Sequence, residues 1–213
     1  MIDQQELEEL IRLYGEPGRR CYTLKASQWM LERLKDLRGE VIPVLQRPGG
    51  KVLLHAKKFY PDGVYRLLSG GIYKGESVLE ALQREVHEET GLEAEIERFL
   101  GLLEYNVRGT FGSATHLRDG ADFVSYVFLL SETDGPPMPH DESEEISAFR
   151  EISWQAFGEA ARALRSLPHE WREWGEFRAL AHEFLAEIQV HGASESATHL
   201  RRQAYRGRRA SKS

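Results

Sequence analysis

The sequence predicts an α/β protein, on three observations. Short apolar runs rich in β-branched and aromatic residues recur along it, among them EVIPVLQ at 40–46, KVLLHAK at 51–57 and ADFVSYVFLL at 121–130. Between them lies a stretch, 77–90, that holds neither Gly nor Pro and reads as a helix. Amphipathic helical patterns flank this middle region on both sides. With 213 residues, 41% apolar and 29% charged, the chain has the make-up of one globular domain with elaborations. Its net charge of -6 gives no general reason to expect a nucleic-acid partner. The single cysteine, Cys21, excludes an intrachain disulfide. No apolar run approaches the length of a membrane span, and the acidic start lacks the basic and apolar regions of a signal peptide. The reading is therefore a cytoplasmic protein that does not engage a membrane.

Four regions follow in order. Residues 1–38 form a helical extension: a first amphipathic helix over 2–14, broken by Gly15-Glu16-Pro17-Gly18, then a second over 28–37 that Ser27 caps. Residues 39–153 form the central domain. Its first two strands, 40–46 and 51–57, make a hairpin around Arg47-Pro48-Gly49-Gly50, and Pro43 argues that the first is an edge strand or carries a bulge. Residues 65–68 lead directly into Gly70. After the helix at 77–90 come a strand over 94–106, broken at Gly101, a Gly/Ser/Thr-rich loop at 108–120, the apolar strand 121–130, a proline-rich and acidic loop at 133–145, and a last strand at 146–152. Residues 154–191 form two C-terminal helices packed on the core, the first capped by Ser153 and the second opened by Pro168. Residues 192–213 form a basic tail without apolar period, read as disordered.

The chemistry concentrates in residues 70–92, GGIYKGESVLEALQREVHEETGL. The helix within it carries an apolar stripe of Leu79, Leu82 and Val86. Gly75 supplies the leading turn and Gly91 the stop. Glu85, Glu88 and Glu89 stand at i, i+3 and i+4 and share a face, with Glu76 reaching in from the preceding loop. Like charges so placed repel by a few tenths of a kcal/mol per pair, roughly, so helix formation does not ask for them. A hard divalent cation with oxygen ligands does. Arg84 stands beside the acids, where it can orient them. Three glutamates alone would read as a solvated face. The fixed spacing of Gly70, Glu76, Arg84, Glu85, Glu88, Glu89 and Gly91 has a chance frequency below about one in ten million per register, which favours a site.

This stretch resembles the Nudix box, G-x5-E-x7-R-E-V-x-E-E-x-G-L, with every position of that signature filled. The resemblance implies the Nudix fold, an α/β/α sandwich around a mixed sheet. It also implies hydrolysis, dependent on Mg²⁺ or Mn²⁺, of a small-molecule nucleoside diphosphate linked to another moiety. Glu85 and Glu89, one turn apart, are the first choices as metal ligands, then Glu88, with Glu76 supporting. A backbone carbonyl of Ser69 or Gly70 adds to the set, as it does in relatives. Arg84, Glu85 and Glu88 are candidate catalytic residues. The general base is either a box glutamate or an acid of the later loop, where Glu142, Glu144 and Glu145 are the candidates. His116 and His140, also in loops, are candidates for phosphate or base contact.

Substrate choice in such a family rests on residues outside the box. The proline expected downstream of the box in ADP-ribose pyrophosphatases is missing, the region reading Tyr105-Asn106-Val107, and the SQPWPF-like array of NADH pyrophosphatases is missing too. An ADP-ribose or nucleotide-sugar type of substrate is favoured, with Tyr105, Phe111, Phe59 and Tyr60 as aromatics able to stack on a base. The alternatives are a non-catalytic nucleotide-sensing domain in a regulator, an RNA-cap type hydrolase that uses the basic tail, and an isopentenyl diphosphate isomerase-like enzyme. The last needs a core cysteine, and Cys21 precedes the first core strand. The apolar faces of the flanking helices lead to a further expectation, a homodimer that covers them.

Overall fold

Strand alternation builds the layers. The computed structural model describes residues 2–109 and 123–188. Phe111, His116 and the basic tail lie outside these residues, as does the side chain of Glu142. In order the elements are α1 (Gln4–Tyr14), β1 (Gly18–Ala26), α2 (Gln28–Leu34), β2 (Gly39–Arg47), β3 (Lys51–Lys57), β4 (Arg66–Leu67), β5 (Gly70–Ile72), α3 (Val78–Thr90), β6 (Ile96–Gly109), β7 (Phe123–Leu130), β8 (Ile146–Ile152) and α4 (Phe157–Arg165). A last helix, α5, covers residues 172–188. The strands run β1-β6-β7-β2-β3-β4, with β5 on β2 and β8 on β3. The sheet is mixed: β1 with β6 and β2 with β7 are parallel, while β6 with β7 and β3 with β8 are antiparallel.

Successive residues of β2 enter opposite cores. Val41 and Leu45 join Leu7 and Leu10 of α1 and Val78, Leu82 and Val86 of α3. Ile42 and Val44 join Met30 of α2, Phe157 and Leu164 of α4, and Phe177 and Phe184 of α5. This is the α/β/α sandwich around a mixed sheet, with helices from both ends of the chain laid over it. Among the described residues no helix is long and apolar enough to cross a membrane.

The helix α3 starts and stops as its sequence dictates. Ser77 Oγ accepts from the Glu80 N–H at 3.2 Å while the Glu80 carboxylate accepts from the Ser77 N–H at 2.9 Å, a capping box worth roughly 1 kcal/mol. Gly91 closes the helix at φ 65°, a left-handed conformation that favours glycine. Glu6 of α1 adds to this start by accepting from the Val78 N–H at 2.7 Å, a negative group at the positive end of the helix dipole. Arg38 holds Glu6 there, at 2.8 Å.

The structure differs from the sequence reading at several places. Strand β1 was not anticipated: GRRCYTLKA is mostly exposed, because an edge strand held by parallel pairing to β6 needs little apolar surface. Pro43 lies in a central strand, not at an edge. Among the described residues, the second side of β2 is paired only at Gly39–Val41 by β5 and at Gln46–Arg47 by β3, so the missing N–H falls in the interval between them. The buried stripe of α3 starts at Val78 and not at Leu79, which is only half-buried. Helix α2 ends at Leu34, and Leu37 packs from the turn that follows. Ser153 makes no side-chain cap, because a 3-10 turn at Trp154–Ala156 intervenes before α4.

Candidate active site

Glu85 and Glu89 are carried on the face of α3 turned toward the sheet, and both are buried, Glu89 completely. Gly70 makes room for the first. A Cβ on Gly70 would lie 1.5 Å from the carboxyl carbon of Glu85, so the backbone of β5 and the carboxylate share a space that only glycine leaves open. Burial pushes Glu85 up to about 7, against the opposing pull of Arg84. Glu89 is raised too, by its complete burial. Its Oε2 accepts from the Ser69 N–H at 3.0 Å. Its Oε1 has no hydrogen-bond donor, though His55 Nε2 and Arg66 Nη2 stand at 3.6 Å and Lys57 Nζ at 3.8 Å.

Arg84 gathers the other acids. Its Nε and Nη2 donate to the two oxygens of Glu76 at 2.8 and 3.1 Å, its Nη1 to Glu85 at 2.6 Å and to Glu88 at 2.9 Å, and its Nη2 also to the Gly71 carbonyl at 2.8 Å. The planar fork accounts for an arginine here, since one ammonium could not face three carboxylates in these directions. Glu76 is held below the usual carboxylate range, first by its bond to Arg84.

Of these acids Glu85 reaches a cleft of about 570 Å³, whose lining also includes Ser69, Gly70, Gly71, Lys57, Arg66, Arg178 and Glu144. The cations come from separate elements: Lys57 from the end of β3, Arg66 from β4 and Arg178 from α5. Lys57 also reaches Glu144 at 2.7 Å, while the Lys58 N–H donates to the Glu145 carbonyl at 2.8 Å. Glu145 has φ 51°, the positive value of a backbone bent to bring this loop over the end of β3. An anionic substrate entering the cleft meets three buried or half-buried positive groups and a row of carboxylates, as a diphosphate and its counter-cation require.

The donor set fits a hard divalent cation. It is all oxygen, and Glu89 Oε1 is a buried acceptor without a donor. Among the described residues no three such side chains already converge as a cation cage. Arg84 Nη1 instead donates to both Glu85 and Glu88, which holds these two carboxylates on the guanidinium.

The NUDIX domain family model matches residues 36–175, well over half of the chain. The chain belongs to the Nudix family. Its members are hydrolases of phosphorus-containing anhydrides that act on nucleotide derivatives and generally use divalent metal ions. A search of curated proteins finds no match. Among solved structures, the chain is similar to the E. coli ORF135 protein, at 22% identity over 58% of this chain and 76% of that one with a TM-score of 0.41. It is similar to the MutT protein from Methanosarcina mazei Go1, at 21% identity over 64% and 88% with a TM-score of 0.41. It is also similar to the E. coli dihydroneopterin triphosphate pyrophosphohydrolase, at 19% identity over 68% and 96% with a TM-score of 0.40.

Of the residues singled out in sequence, the Nudix helix and its approach bring Ser69, Glu76, Arg84, Glu85, Glu88 and Glu89 together. Glu144 and Glu145 line the same cleft, and so does Phe59. Four candidates stand elsewhere. His140 pairs with the ring of His87 at 4.5 Å, exposed, outside the cleft lining. Tyr105 is buried and its hydroxyl meets Ser125 Oγ at 3.2 Å, and Tyr60 is buried too, so these two rings are packing. Cys21 is exposed on β1. Sequence reasoning missed Lys57, Arg66, Arg178 and three tryptophans, Trp29, Trp171 and Trp174, that line the cleft. The tryptophans were visible only as members of amphipathic helical stripes.

Proposed function

We propose that this protein is a pyrophosphohydrolase dependent on Mg²⁺ or Mn²⁺ that splits a nucleoside diphosphate linked to another moiety, of the ADP-ribose or nucleotide-sugar type. One observation carries this reading: Glu85 lines the same cleft as Lys57, Arg66 and Arg178, and the buried Glu89 lies behind it, with Arg66 3.6 Å and Lys57 3.8 Å from its Oε1. Glu85, Glu88 and Glu89 would hold the cation, with the Ser69–Gly70 backbone beside them, and the cation would supply neutralisation of the diphosphate charge. The chain's own groups do the rest. Lys57, Arg66 and Arg178 bind and orient the phosphates. Glu76 fixes Arg84 through two bonds, and Arg84 directs the carboxylates of Glu85 and Glu88. Glu144 is the loop acid assigned as general base. It stands beside Glu85 in the cleft lining and must leave Lys57 to take a proton from the attacking water. Most of the apolar side chains of α1, α2 and α5 that motivate a homodimer are covered within the chain, while Leu13 and Trp29 stay exposed.

The test is a panel of nucleoside diphosphate derivatives assayed with Mg²⁺ and with Mn²⁺. The expected result is release of a nucleoside monophosphate that stops on chelation. Glu89→Gln and Glu85→Gln, which remove charge and little shape, should lose most of the turnover while keeping the wild-type melting curve. Glu144→Gln should lower kcat by about 10²–10⁴-fold with metal affinity intact. Inactivity across the panel, or wild-type turnover by a folded Glu85→Gln protein, overturns the reading.

A further inference from the structure

The cleft that holds Glu85 is also walled by aromatic side chains from outside the Nudix box. Trp29 comes from α2, Trp171 from the 3-10 turn His169–Trp171, Trp174 from α5, and Phe59 from the turn after β3. Trp29 meets Trp171 and Trp174 edge-on, each at 6.0 Å between centroids, and Trp171 stacks on Phe59 at 4.2 Å. The two ends of the chain are tied at this point. The Glu173 carboxylate accepts from the hydroxyl of Ser27 at 2.5 Å and from its backbone N–H, so the helix that carries Trp174 also holds the cap of the helix that carries Trp29. Trp29 nevertheless remains 43% exposed. A ring placed only for packing would bury more of its surface in a joint so firmly held.

Two guanidiniums narrow what the free surface of this ring takes. Arg33, one turn after Trp29, lies 5.2 Å from the centroids of both Trp29 and Trp174, and Arg178 lies 4.1 Å from that of Trp174. Arg33 makes no ion pair among the described residues. A quaternary ammonium group, the usual guest of an aromatic cage, would meet two positive charges here. A planar neutral ring with carbonyl and ring-nitrogen acceptors meets none of that repulsion. It can stack on the indole and accept from Arg33. We propose, resting on the reading of the cleft as a phosphoanhydride site, that Trp29 and Arg33 form the nucleobase subsite. The N-terminal extension then selects diphosphates that carry a base over diphosphates that do not.

The experiment compares two substrates in the full-length protein: the best nucleotide-linked diphosphate of the panel, with ADP-ribose first, and 5-phosphoribosyl 1-diphosphate, which has no base. The readout is the ratio of their kcat/KM values in wild type, Trp29→Ala and Trp29→Phe. Loss of one base–aromatic stack should lower the ratio by roughly 10-fold or more in Trp29→Ala, through KM, and Trp29→Phe should restore most of it. Melting curves identify any variant that fails to fold. Arg33→Met, at an exposed position, is the second variant and should lower the ratio in the same direction. A ratio within twofold of wild type in both Trp29→Ala and Arg33→Met overturns the subsite while leaving the hydrolase reading standing. If wild type cleaves neither compound, the hydrolase reading has failed separately. The subsite is then read by titrating ADP-ribose against tryptophan fluorescence: Kd should weaken by roughly 10-fold in Trp29→Ala, and equal Kd values, or no binding by wild type, overturn it.

Discussion

Glu85 can occupy its place because Gly70 has no side chain. Glycine is the only residue that leaves that space, since an added Cβ would overlap the carboxyl carbon at 1.5 Å. Gly70→Ala should therefore push the Glu85 carboxylate off its position and lower kcat by about 10²-fold, the cost of a displacement near 1 Å, with the melting temperature much less affected. Steady-state kinetics beside a melting curve checks this, and wild-type kcat in a folded variant would count against Glu85 as a site residue. The acids and Gly70 were legible in the sequence because their spacing along one helix and its approach is fixed. Lys57, Arg66 and Arg178 were not. They are three among 28 basic residues, they come from three elements far apart in the chain, and only folding brings them to one cleft. His182 was equally hidden. Buried in α5, it accepts from the Leu67 N–H at Nε2, 3.1 Å away, and its Nδ1, which then carries the proton, lies 3.0 Å from the Arg178 carbonyl. Burial lowers it from 6.5 to about 4. Below pH 6.5 the unfolded chain takes up a proton that the folded one refuses until about pH 4, so stability is full above 6.5 and falls between these values, by up to about 3 kcal/mol. Glu85, pushed up to about 7, acts in the opposite direction over the same range, so the share of His182 is read by difference: in denaturant melts from pH 7.5 to pH 4.5, His182→Gln should lose less stability on acidification than wild type, and parallel curves would remove His182 from the account.

Among the elements, α3, β3 and β8 were legible from local signals and β1 was not. Helix α3 announces its own ends through Ser77, Glu80 and Gly91, and β3 and β8 match their apolar runs residue for residue. Strand β1 has no such signal, because its nine partners on β6 hold it through the backbone. The break read at Gly101 is not a break, since β6 runs through it as one strand, Ile96–Gly109. The β6–β7 register shifts between Phe99 and Gly101, and the face left open there receives the ring of Phe184 from α5. A Cβ on Gly101 would lie 2.4 Å from Phe184 Cε1, and Phe184 is fully buried. Gly101→Ala is thus an overpacking substitution at the joint between α5 and the sheet, expected to cost about 1–3 kcal/mol. Chemical denaturation measures it. Phe184→Leu in the same chain should recover part of the loss, and a double-mutant cycle that shows simple additivity would mean the two do not press on each other.

For the molecule as a whole, the sequence revealed more apolar helical surface than two isolated extensions can leave in water, and the structure supplies the cover from within. Leu7 and Leu10 of α1 lie under the same layer as the Nudix helix, Met30 of α2 lies in the opposite layer, and Phe177, Phe184 and Leu185 of α5 close it. The sequence reading went to a second subunit because periodicity shows that a face is apolar without showing what it meets. Among the described residues the large apolar side chains that remain exposed are Leu13, Trp29, Tyr73 and Met138. Trp29 and Tyr73 line the cleft, Met138 belongs to the loop that passes Gly91, and Leu13 stands on α1, so they do not form one contiguous face. A stable dimer of ordinary size needs about 800 Å² per partner with an apolar centre, and four separated side chains do not provide that. The expected state is therefore a monomer. Sedimentation velocity at 5–50 µM, roughly the range where a weak dimer would appear, should give one species of about the 24.4 kDa chain mass, unchanged by Leu13→Glu. A concentration-dependent shift toward twice that mass, abolished by Leu13→Glu, would place a self-association surface on α1 and restore the second subunit.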